Sequence, residues 1–233
     1  MKIREMYNCV RPMCFDTKYD HCRYSTKGSC FVIRHRQELF AITAYHAIDG
    51  CSLDNLVIPH HAGSDYMLPM SKVLSPRIEN TRIDTSNSDF AVIPIPEEGI
   101  DKSKFDESSV YDLSRDRDYL ASEELNLIVA GYPAEINETV YDIRKLKHQR
   151  AVYTAAGQGQ SFEEGLEKLK FDSSTGLTSF DGLSGGVVFE TATHANDQIM
   201  GRLSGMLLMA NSESKNGHYL SIDVITDYIE HNT

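Results

Sequence analysis

Residues 178–187 read Thr-Ser-Phe-Asp-Gly-Leu-Ser-Gly-Gly-Val, and this stretch decides the fold prediction. A nucleophilic serine needs an exposed hydroxyl on a tight turn and backbone N–H groups directed at a developing oxyanion. Glycines on both sides of Ser184 permit the backbone conformations that such a turn requires. The N–H groups of Gly182 and Ser184 are the candidate oxyanion donors. A glycine-rich hairpin turn fits the same letters, so this segment alone leaves both interpretations open.

A histidine and an aspartate stand upstream in comparable settings. Residues 39–48 form an apolar strand pattern that runs into a turn carrying His46. Imidazole is the usual general base for a serine hydroxyl because it titrates near neutrality. Asp89 precedes the apolar stretch 90–95, where a carboxylate can accept the second imidazole N–H. Taken singly, a structural histidine and a strand-opening turn aspartate are the favoured explanations of these two residues.

Together, the three segments resemble the chymotrypsin-like serine peptidase superfamily, and its bacterial trypsin-like and HtrA-type branches more than the animal digestive enzymes. The order is His, Asp, Ser, with 43 residues from His46 to Asp89 and 95 from Asp89 to Ser184. Three other segments are similar to the family's glycine-serine strand, its glycine-aromatic-proline turn and the strand after its nucleophile: residues 28–32, 128–133 and 203–210. The resemblance covers about residues 25–230.

The resemblance implies an all-β fold of two six-stranded antiparallel β-barrels with a C-terminal helix. We expect an N-terminal extension over residues 1–24, an N-terminal barrel with His46 and Asp89 over 25–110, and a C-terminal barrel with Ser184 over 111–233. The extension, which matches nothing in the family core, could pack on the barrel or dock a partner.

The residues by themselves predict mainly short strands bounded by turn-forming residues, a pattern that fits a barrel or a sandwich. The predicted strands are 30–34, 39–43, 56–59, 90–95, 125–130, 186–190 and 204–209. Ser221 is a candidate N-cap for a closing helix with Ile222, Ile225 and Ile229 on one face.

Three further local predictions come from the residue pattern. Ser161 with Glu164 three residues later predicts a second short helix through Leu169. Residues 43–49 predict a single helical turn after a strand. The acidic and serine-rich stretch 97–124 predicts a surface linker between the two halves.

The function implied by the resemblance is a serine endopeptidase that works through an acyl-enzyme. Ser184 would be the nucleophile, His46 the general base and Asp89 the group that orients it, with no metal or other cofactor. The specificity pocket would be lined by Thr178 and Ser179 with Met209 and Ala210 opposite; no acidic residue falls at its base, which favours a small or medium apolar substrate residue. A non-catalytic binding module of the same fold and an esterase or other acyl hydrolase are the alternatives.

Three residues depart from the family pattern. Cys30 stands where a glycine is usual, and Tyr45 adds bulk beside the base. Leu183 stands where the digestive members have an aspartate that pairs with a newly cut N-terminus, and leucine cannot accept that ammonium group. Activation by N-terminal cleavage is therefore not expected. Constitutive competence or gating by an activating protein partner in trans remains, and we favour gating because an ungated cytoplasmic peptidase would endanger its host.

Composition narrows the class of protein further. The 233 residues carry a net charge of -11, which argues against a nucleic-acid partner. No run of 18 apolar residues predicts a membrane helix, and the start has no apolar run of signal-peptide length. We therefore expect a cytoplasmic protein whose partners are protein or peptide substrates.

The five cysteines, Cys9, Cys14, Cys22, Cys30 and Cys51, all lie in the first quarter of the chain. Their odd number does not suit a secreted disulfide framework, so we expect free thiols, mostly buried, in a reducing compartment. A zinc site from Cys9, Cys14, His21 and Cys22 is the alternative, although no Cys-x-x-Cys pair supports it.

Overall fold

The structure of the chain is a computed structural model. It describes residues 6–21, 23–61, 64, 66–79, 86–114, 126–137, 139–140, 145–146, 148–173, 176, 178–193 and 199–233. Strands dominate these residues. None of the helices found in the described residues has the length and apolar character needed to cross a membrane.

The N-terminal half is a six-stranded sheet. Its strands are β1 (Val10–Asp16), β2 (Tyr24–His35), β3 (Glu38–Ala44), β4 (Leu56–Val57), β5 (Phe90–Ile95) and β6 (Tyr111–Asp112). The order is β4-β1-β2-β3-β5, with antiparallel neighbours, and β6 pairs with β2 in parallel. Over the described residues this sheet is curled but not closed, so the expected pair of closed barrels becomes one barrel and one open sheet.

Strand β1 lies within the stretch that we expected to be an extension outside the core. It pairs with β2 from Val10 opposite Phe31 to Asp16 opposite Tyr24, and with β4 on its other side. Of the two roles considered for this stretch, packing on the sheet is therefore what residues 10–16 do.

The C-terminal half is a closed six-stranded antiparallel barrel. Its strands follow the order β10-β11-β14-β13-β12-β7. They are β7 (Asn126–Gly131), β10 (Ala151–Gln160), β11 (Leu166–Phe171), β12 (Val187–Thr193), β13 (Ile199–Ala210) and β14 (Asn216–Ser221), while β8 (Thr139–Val140) and β9 (Lys145–Leu146) form a separate two-stranded sheet. The all-β prediction is confirmed.

In the part of the chain that the structure describes, two α-helices accompany the strands. A short helix α1 (Pro76–Glu79) lies before β5, and the closing helix α2 (Ile222–Asn232) follows β14. The Ser221 side chain accepts the N–H of Asp223 at the start of α2, and Ile225 and Ile229 are buried, as the pattern predicts. The predicted turn after the strand is also present, as a 3₁₀ turn at Tyr45–Ala47.

The helix predicted from Ser161 through Leu169 is wrong. β10 ends at Gln160, a turn follows, and β11 begins at Leu166. Gly165 has φ +77°, a left-handed conformation that ends a helix. In β11, buried Leu169 and Phe171 alternate with exposed lysines while the strand pairs with β14. Strand pairing in the barrel outweighs the weak capping signal of Ser161 and Glu164.

The predicted linker 97–124 is described as far as residue 114. That part contains two 3₁₀ turns and β6, with buried Val110 and Tyr111. The rest of the prediction, and residue 125 of the strand predicted at 125–130, lie outside the described residues.

The buried apolar residues described here form three clusters, and one of them joins the two halves. It packs Phe31, Ile42 and Phe90 of the first sheet with Val187 and Phe189 of the barrel. The same cluster includes buried apolar residues of α2. Because the two halves share this core, residues at their seam are held in fixed relative positions.

Candidate active site

His46 and Asp89 form a close pair at the edge of the first sheet. The Nδ1 atom of His46 lies 2.6 Å from Oδ2 of Asp89, and the backbone N–H of His46 donates to Oδ1 of Asp89 at 3.0 Å. The His46 side chain is 44% exposed and that of Asp89 only 15%. The carboxylate is therefore sheltered behind an imidazole that faces solvent.

The pairing of two neighbouring strands brings these residues together. β3 and β5 are antiparallel neighbours, with Ala44 opposite Phe90, so the residues that follow Ala44 meet those that precede Phe90. The N–H of Tyr45 donates to the carbonyl oxygen of Asp89 at 3.1 Å and extends this ladder. The His46–Asp89 contact is thus a consequence of sheet register.

The Asp89 carboxyl group remains ionised in this setting. Burial by itself would raise its pKa, but the hydrogen bond and charge interaction with His46, together with the donor from Arg77, hold the pKa below its ordinary value. Nη1 of Arg77 lies 2.9 Å from Oδ1 of Asp89. Sequence reasoning missed Arg77, because only the fold brings the residues before β5 against this carboxylate.

The Ser184 loop reaches the same place from the barrel. The carbonyl oxygen of Ser184 accepts the N–H of Ser29 at 3.1 Å. A Cβ added at Gly28 would lie 3.3 Å both from that carbonyl oxygen and from Cβ of Ala47, the neighbour of His46. Gly28 therefore lies between the loop that carries Ser184 and the turn that carries His46.

Gly185 lies in close contact with the first sheet, at the seam where the Ser184 loop meets Ser29 and Ala44. Its φ is +81°, and an added Cβ would lie 2.1 Å from the carbonyl oxygen of Ser29 and 3.1 Å from the backbone nitrogen of Ala44. Such a distance leaves no room for a side chain. Glycine is required here for both its backbone conformation and its small size.

The Ser184 hydroxyl is hydrogen-bonded to a backbone carbonyl and not to the imidazole. Its Oγ donates to the carbonyl oxygen of Leu208 in β13 at 2.9 Å, and no hydrogen bond joins it to His46. The structure therefore unites the His46–Asp89 pair and brings the Ser184 backbone beside it, while the serine–histidine hydrogen bond is not made. In structures without ligand, such bonds are often absent or long.

The two candidate oxyanion donors lie in the same loop. Gly182 has φ +81°, and its carbonyl oxygen accepts the Ser29 hydroxyl at 2.7 Å. Among the described residues, neither the N–H of Gly182 nor that of Ser184 has an acceptor. Both N–H groups are thus available to a ligand oxygen.

Leu183, between these two residues, is fully buried. It packs in the barrel cluster with Val129, Phe180, Val188 and Leu207. A side chain in this apolar site cannot receive a charged N-terminus without a large desolvation penalty. This supports the expectation that N-terminal cleavage does not activate the protein.

The four predicted pocket residues are partly or largely exposed. Met209 is 41% exposed at the end of β13, followed by Ala210, while Thr178 and Ser179 precede the Ser184 loop. Sequence reasoning missed Glu135, which contacts two of them. Its carboxylate accepts the backbone N–H groups of Thr178 and Ser179 at 2.9 and 3.0 Å and the Thr178 hydroxyl at 3.0 Å.

These donors affect the ionisation of Glu135. The N–H of Ser179 is the largest of the causes that lower the pKa of this exposed carboxyl group, with help from Thr178 and from the more distant Lys215. An ionised glutamate therefore anchors the backbone at the predicted base of the pocket. No motif connects Glu135 with residues 178–179, so the sequence carried no signal for this contact.

The described cysteines are free thiols. Cys9, Cys14 and Cys30 are buried and Cys51 is partly exposed. Burial raises the pKa of Cys9 and Cys14 to about 12 and raises that of Cys30 as well, which makes these thiols poor nucleophiles. Cys22 lies outside the described residues, and within the part of the chain that is described no three His, Cys, Asp or Glu side chains cluster as a metal site would require.

Comparison with known proteins gave no match: no protein-family model fits the chain, and no curated protein is significantly similar to it. The resemblance to chymotrypsin-like peptidases therefore rests on the motifs and on an architecture that is compatible with that fold.

Proposed function

We propose that this protein is a serine endopeptidase of the chymotrypsin-like type. The observation that carries the proposal is the His46–Asp89 pair, 2.6 Å apart, with His46 in a turn that lies across Gly28 from the loop of Ser184. A histidine whose Nδ1 is held by a carboxylate has its other nitrogen free to accept a serine proton. An aspartate that served only to open a strand would have no need to contact the imidazole.

The reaction follows from these groups. The Ser184 hydroxyl turns from the Leu208 carbonyl to the imidazole, gives its proton to His46 and attacks the substrate carbonyl carbon. The free N–H groups of Gly182 and Ser184 stabilise the resulting oxyanion. His46 then protonates the leaving amine. In the second half of the reaction, water gives a proton to His46 and attacks the acyl carbonyl carbon, and His46 returns that proton to the departing Ser184 oxygen.

The resting bond from Ser184 to Leu208 is consistent with gating by a protein partner. A hydroxyl that donates to a backbone carbonyl must exchange that hydrogen bond for one to His46 before it reacts. A partner that favours the exchange would raise activity. Peptide cleavage by the purified protein at its full rate, with no increase on adding host lysate, would contradict gating.

The pocket residues favour a small or medium apolar side chain before the cleaved bond. Met209 and Ala210 offer apolar surface, and the Glu135 carboxylate already accepts three hydrogen bonds from Thr178 and Ser179. A peptide series that varies only this position tests the preference. Faster cleavage after arginine or lysine than after alanine or valine would contradict it.

Covalent labelling by a fluorophosphonate probe tests the main proposal, because labelling needs a nucleophile, a base and an oxyanion site together. With host lysate added to supply the proposed partner, we expect labelling of the wild type, none of Ser184→Ala, and normal labelling of Ser214→Ala, which removes an exposed serine in another loop. Labelling that persists in Ser184→Ala would overturn the assignment.

A non-catalytic binding module is the second candidate, favoured by the missing Ser184–His46 hydrogen bond. That candidate predicts no labelling of the wild type at any pH between about 5 and 9, with or without lysate.

An esterase would be labelled by the probe just as a peptidase would. A matched series of ester and peptide substrates separates these two functions, and we expect the peptides to be cleaved.

A further inference from the structure

We infer that Arg77 is a positioning residue of this site, which fixes the Asp89 carboxylate for His46 and, through its positive charge, offsets part of the negative charge of that carboxylate. The inference rests on the proposed function and adds a residue to it. Arg77 touches no reacting atom, so its effect must pass through Asp89.

The two oxygens of Asp89 have different partners. Among the described residues, Oδ2 contacts Nδ1 of His46, at 2.6 Å, while Oδ1 accepts two donors, the backbone N–H of His46 and Nη1 of Arg77. Of the described side chains, those of His46 and Arg77 donate to this carboxylate. With Oδ1 held from two directions, the carboxylate plane cannot rotate freely, and Oδ2 stays directed at the imidazole.

Arg77 is itself held at its base. Its backbone N–H donates to the hydroxyl of Ser75, a fully buried residue that precedes α1. Just before it, Leu74 forms a two-hydrogen-bond bridge with Val92 of β5, at 2.8 and 2.9 Å. Since β5 begins directly after Asp89, this bridge fixes α1 relative to the carboxylate.

Tyr45 steadies the other end of the side chain. The Arg77 guanidinium carbon lies 5.9 Å from the centre of the Tyr45 ring, within the range of a cation–π contact. The guanidinium is therefore held between this ring and Asp89. The contact gives a role to Tyr45, which the sequence marked only as a bulky departure beside the base.

Charge decides the sign of the effect on pH dependence. Beside Asp89 and His46, the described charged or titratable side chains are Arg77 on α1, Tyr45 on the 3₁₀ turn, and Glu163, whose carboxylate accepts the N–H of Asn87 at 3.1 Å. Arg77 is the one cation in this described group. It offsets part of the Asp89 charge, so the protonated imidazole gains less from that carboxylate than it otherwise would.

The pH profile of fluorophosphonate labelling tests the inference. In Arg77→Met, we expect the acid limb of the profile, where labelling falls off at low pH, to move to higher pH by roughly 0.5–1 unit. The plateau, which is the maximal labelling rate, should fall by roughly three- to tenfold. Arg77→Lys keeps the positive charge but loses the planar guanidinium group. We therefore expect the position of its acid limb to be closer to the wild type than its plateau rate is. Arg36→Met, which removes an arginine paired with Glu230 away from the site, is the control and should match the wild type.

An Arg77→Met profile identical to that of Arg36→Met would overturn the inference while leaving the proposed function intact. A wild type that stays unlabelled even after host lysate is added would instead remove the proposed function itself. If Arg77→Met does not fold, as judged by urea unfolding, Tyr45→Leu takes its place. Loss of the ring should move the acid limb the same way by a smaller amount, and no movement there would also overturn the inference.

Discussion

The two halves of the molecule present their parts of the candidate site in different ways. His46 and Asp89 belong to one sheet, and the register of two adjacent strands brings them together. Ser184 belongs to the barrel and reaches them across the seam, through contacts of its loop with Ser29 and Ala44. The base and its carboxylate are thus set by local pairing, whereas the nucleophile depends on how the two halves fit.

The difference has an energetic consequence. A change in the Asp89 pair should affect chemistry more than folding, because the first sheet retains its own core. A change in the seam should affect folding and chemistry together, because the loop packs on backbone atoms that cannot move aside.

The largest expected effect lies in the histidine–aspartate pair. Asp89→Asn should lower the labelling rate by about 10⁴-fold, because an amide in place of the carboxylate favours the wrong imidazole tautomer. Urea unfolding should show a folded protein. Asp54→Asn, which changes an exposed aspartate in a nearby loop, is the control. A rate within tenfold of the wild type would mean that Asp89 does not orient a catalytic histidine.

The second largest effect is expected at Gly185, where the Ser184 loop contacts the first sheet. Gly185→Ala forces a Cβ to within 2.1 Å of the Ser29 carbonyl oxygen at φ +81°, so we expect a loss of about 3 kcal/mol or more in the free energy of unfolding, together with loss of labelling. Gly159→Ala is the matched control: its φ is +80° but no atom lies within 4 Å of the added Cβ. It should cost only about 1 kcal/mol.

Equal costs for the two glycine variants, measured by urea unfolding, would show that backbone conformation alone explains Gly185. The close contact between the two halves at Gly185 would then make no separate contribution to the free energy of unfolding.

A smaller effect is expected at Ser29, which bridges the same seam. Its hydroxyl donates to the Gly182 carbonyl oxygen and accepts the N–H of Tyr132 at 2.8 Å. Ser29→Ala leaves both groups without this partner and should cost about 1–3 kcal/mol in the free energy of unfolding. It should also slow labelling, because Gly182 is a proposed oxyanion donor.

Ser103→Ala is the control for Ser29, since it removes an exposed hydroxyl bonded only to Asp101 nearby and should change the free energy of unfolding by less than about 0.5 kcal/mol. If Ser29→Ala is destabilised but labels at the wild-type rate, the seam supports the fold without shaping the oxyanion site.

Much of the architecture was predictable because it depends on local pattern. Short alternating segments predicted the strands, and Ser221 with three spaced isoleucines predicted α2. The helix predicted at Ser161 failed because the alternation of Leu169 and Phe171 with exposed residues stabilises a strand only when β14 is there to pair with it. Likewise, nothing in residues 10–16 identifies them as β1 until β2 is there to pair with them.

The candidate site divides in the same way. His46, Asp89 and Ser184 each stand in a recognisable local setting, so the sequence could nominate them. Arg77 and Glu135 could not be nominated, because a single arginine or glutamate on a surface segment has no distinguishing pattern. Their contacts with Asp89 and Thr178 exist only after distant segments pack together.

By itself, the sequence determined that this chain is built from strands, where the closing helix begins, and which serine, histidine and aspartate are candidates for one site. These are properties of residue spacing and of short-range backbone preference. Only the tertiary structure decided that the first sheet stays open over the described residues, that Ser184 bonds to Leu208, and that Arg77 shares the Asp89 carboxylate. The reason is physical. Hydrogen bonds and charge contacts between segments far apart in the chain depend on distance in space, and that distance cannot be read from the spacing of residues along the sequence.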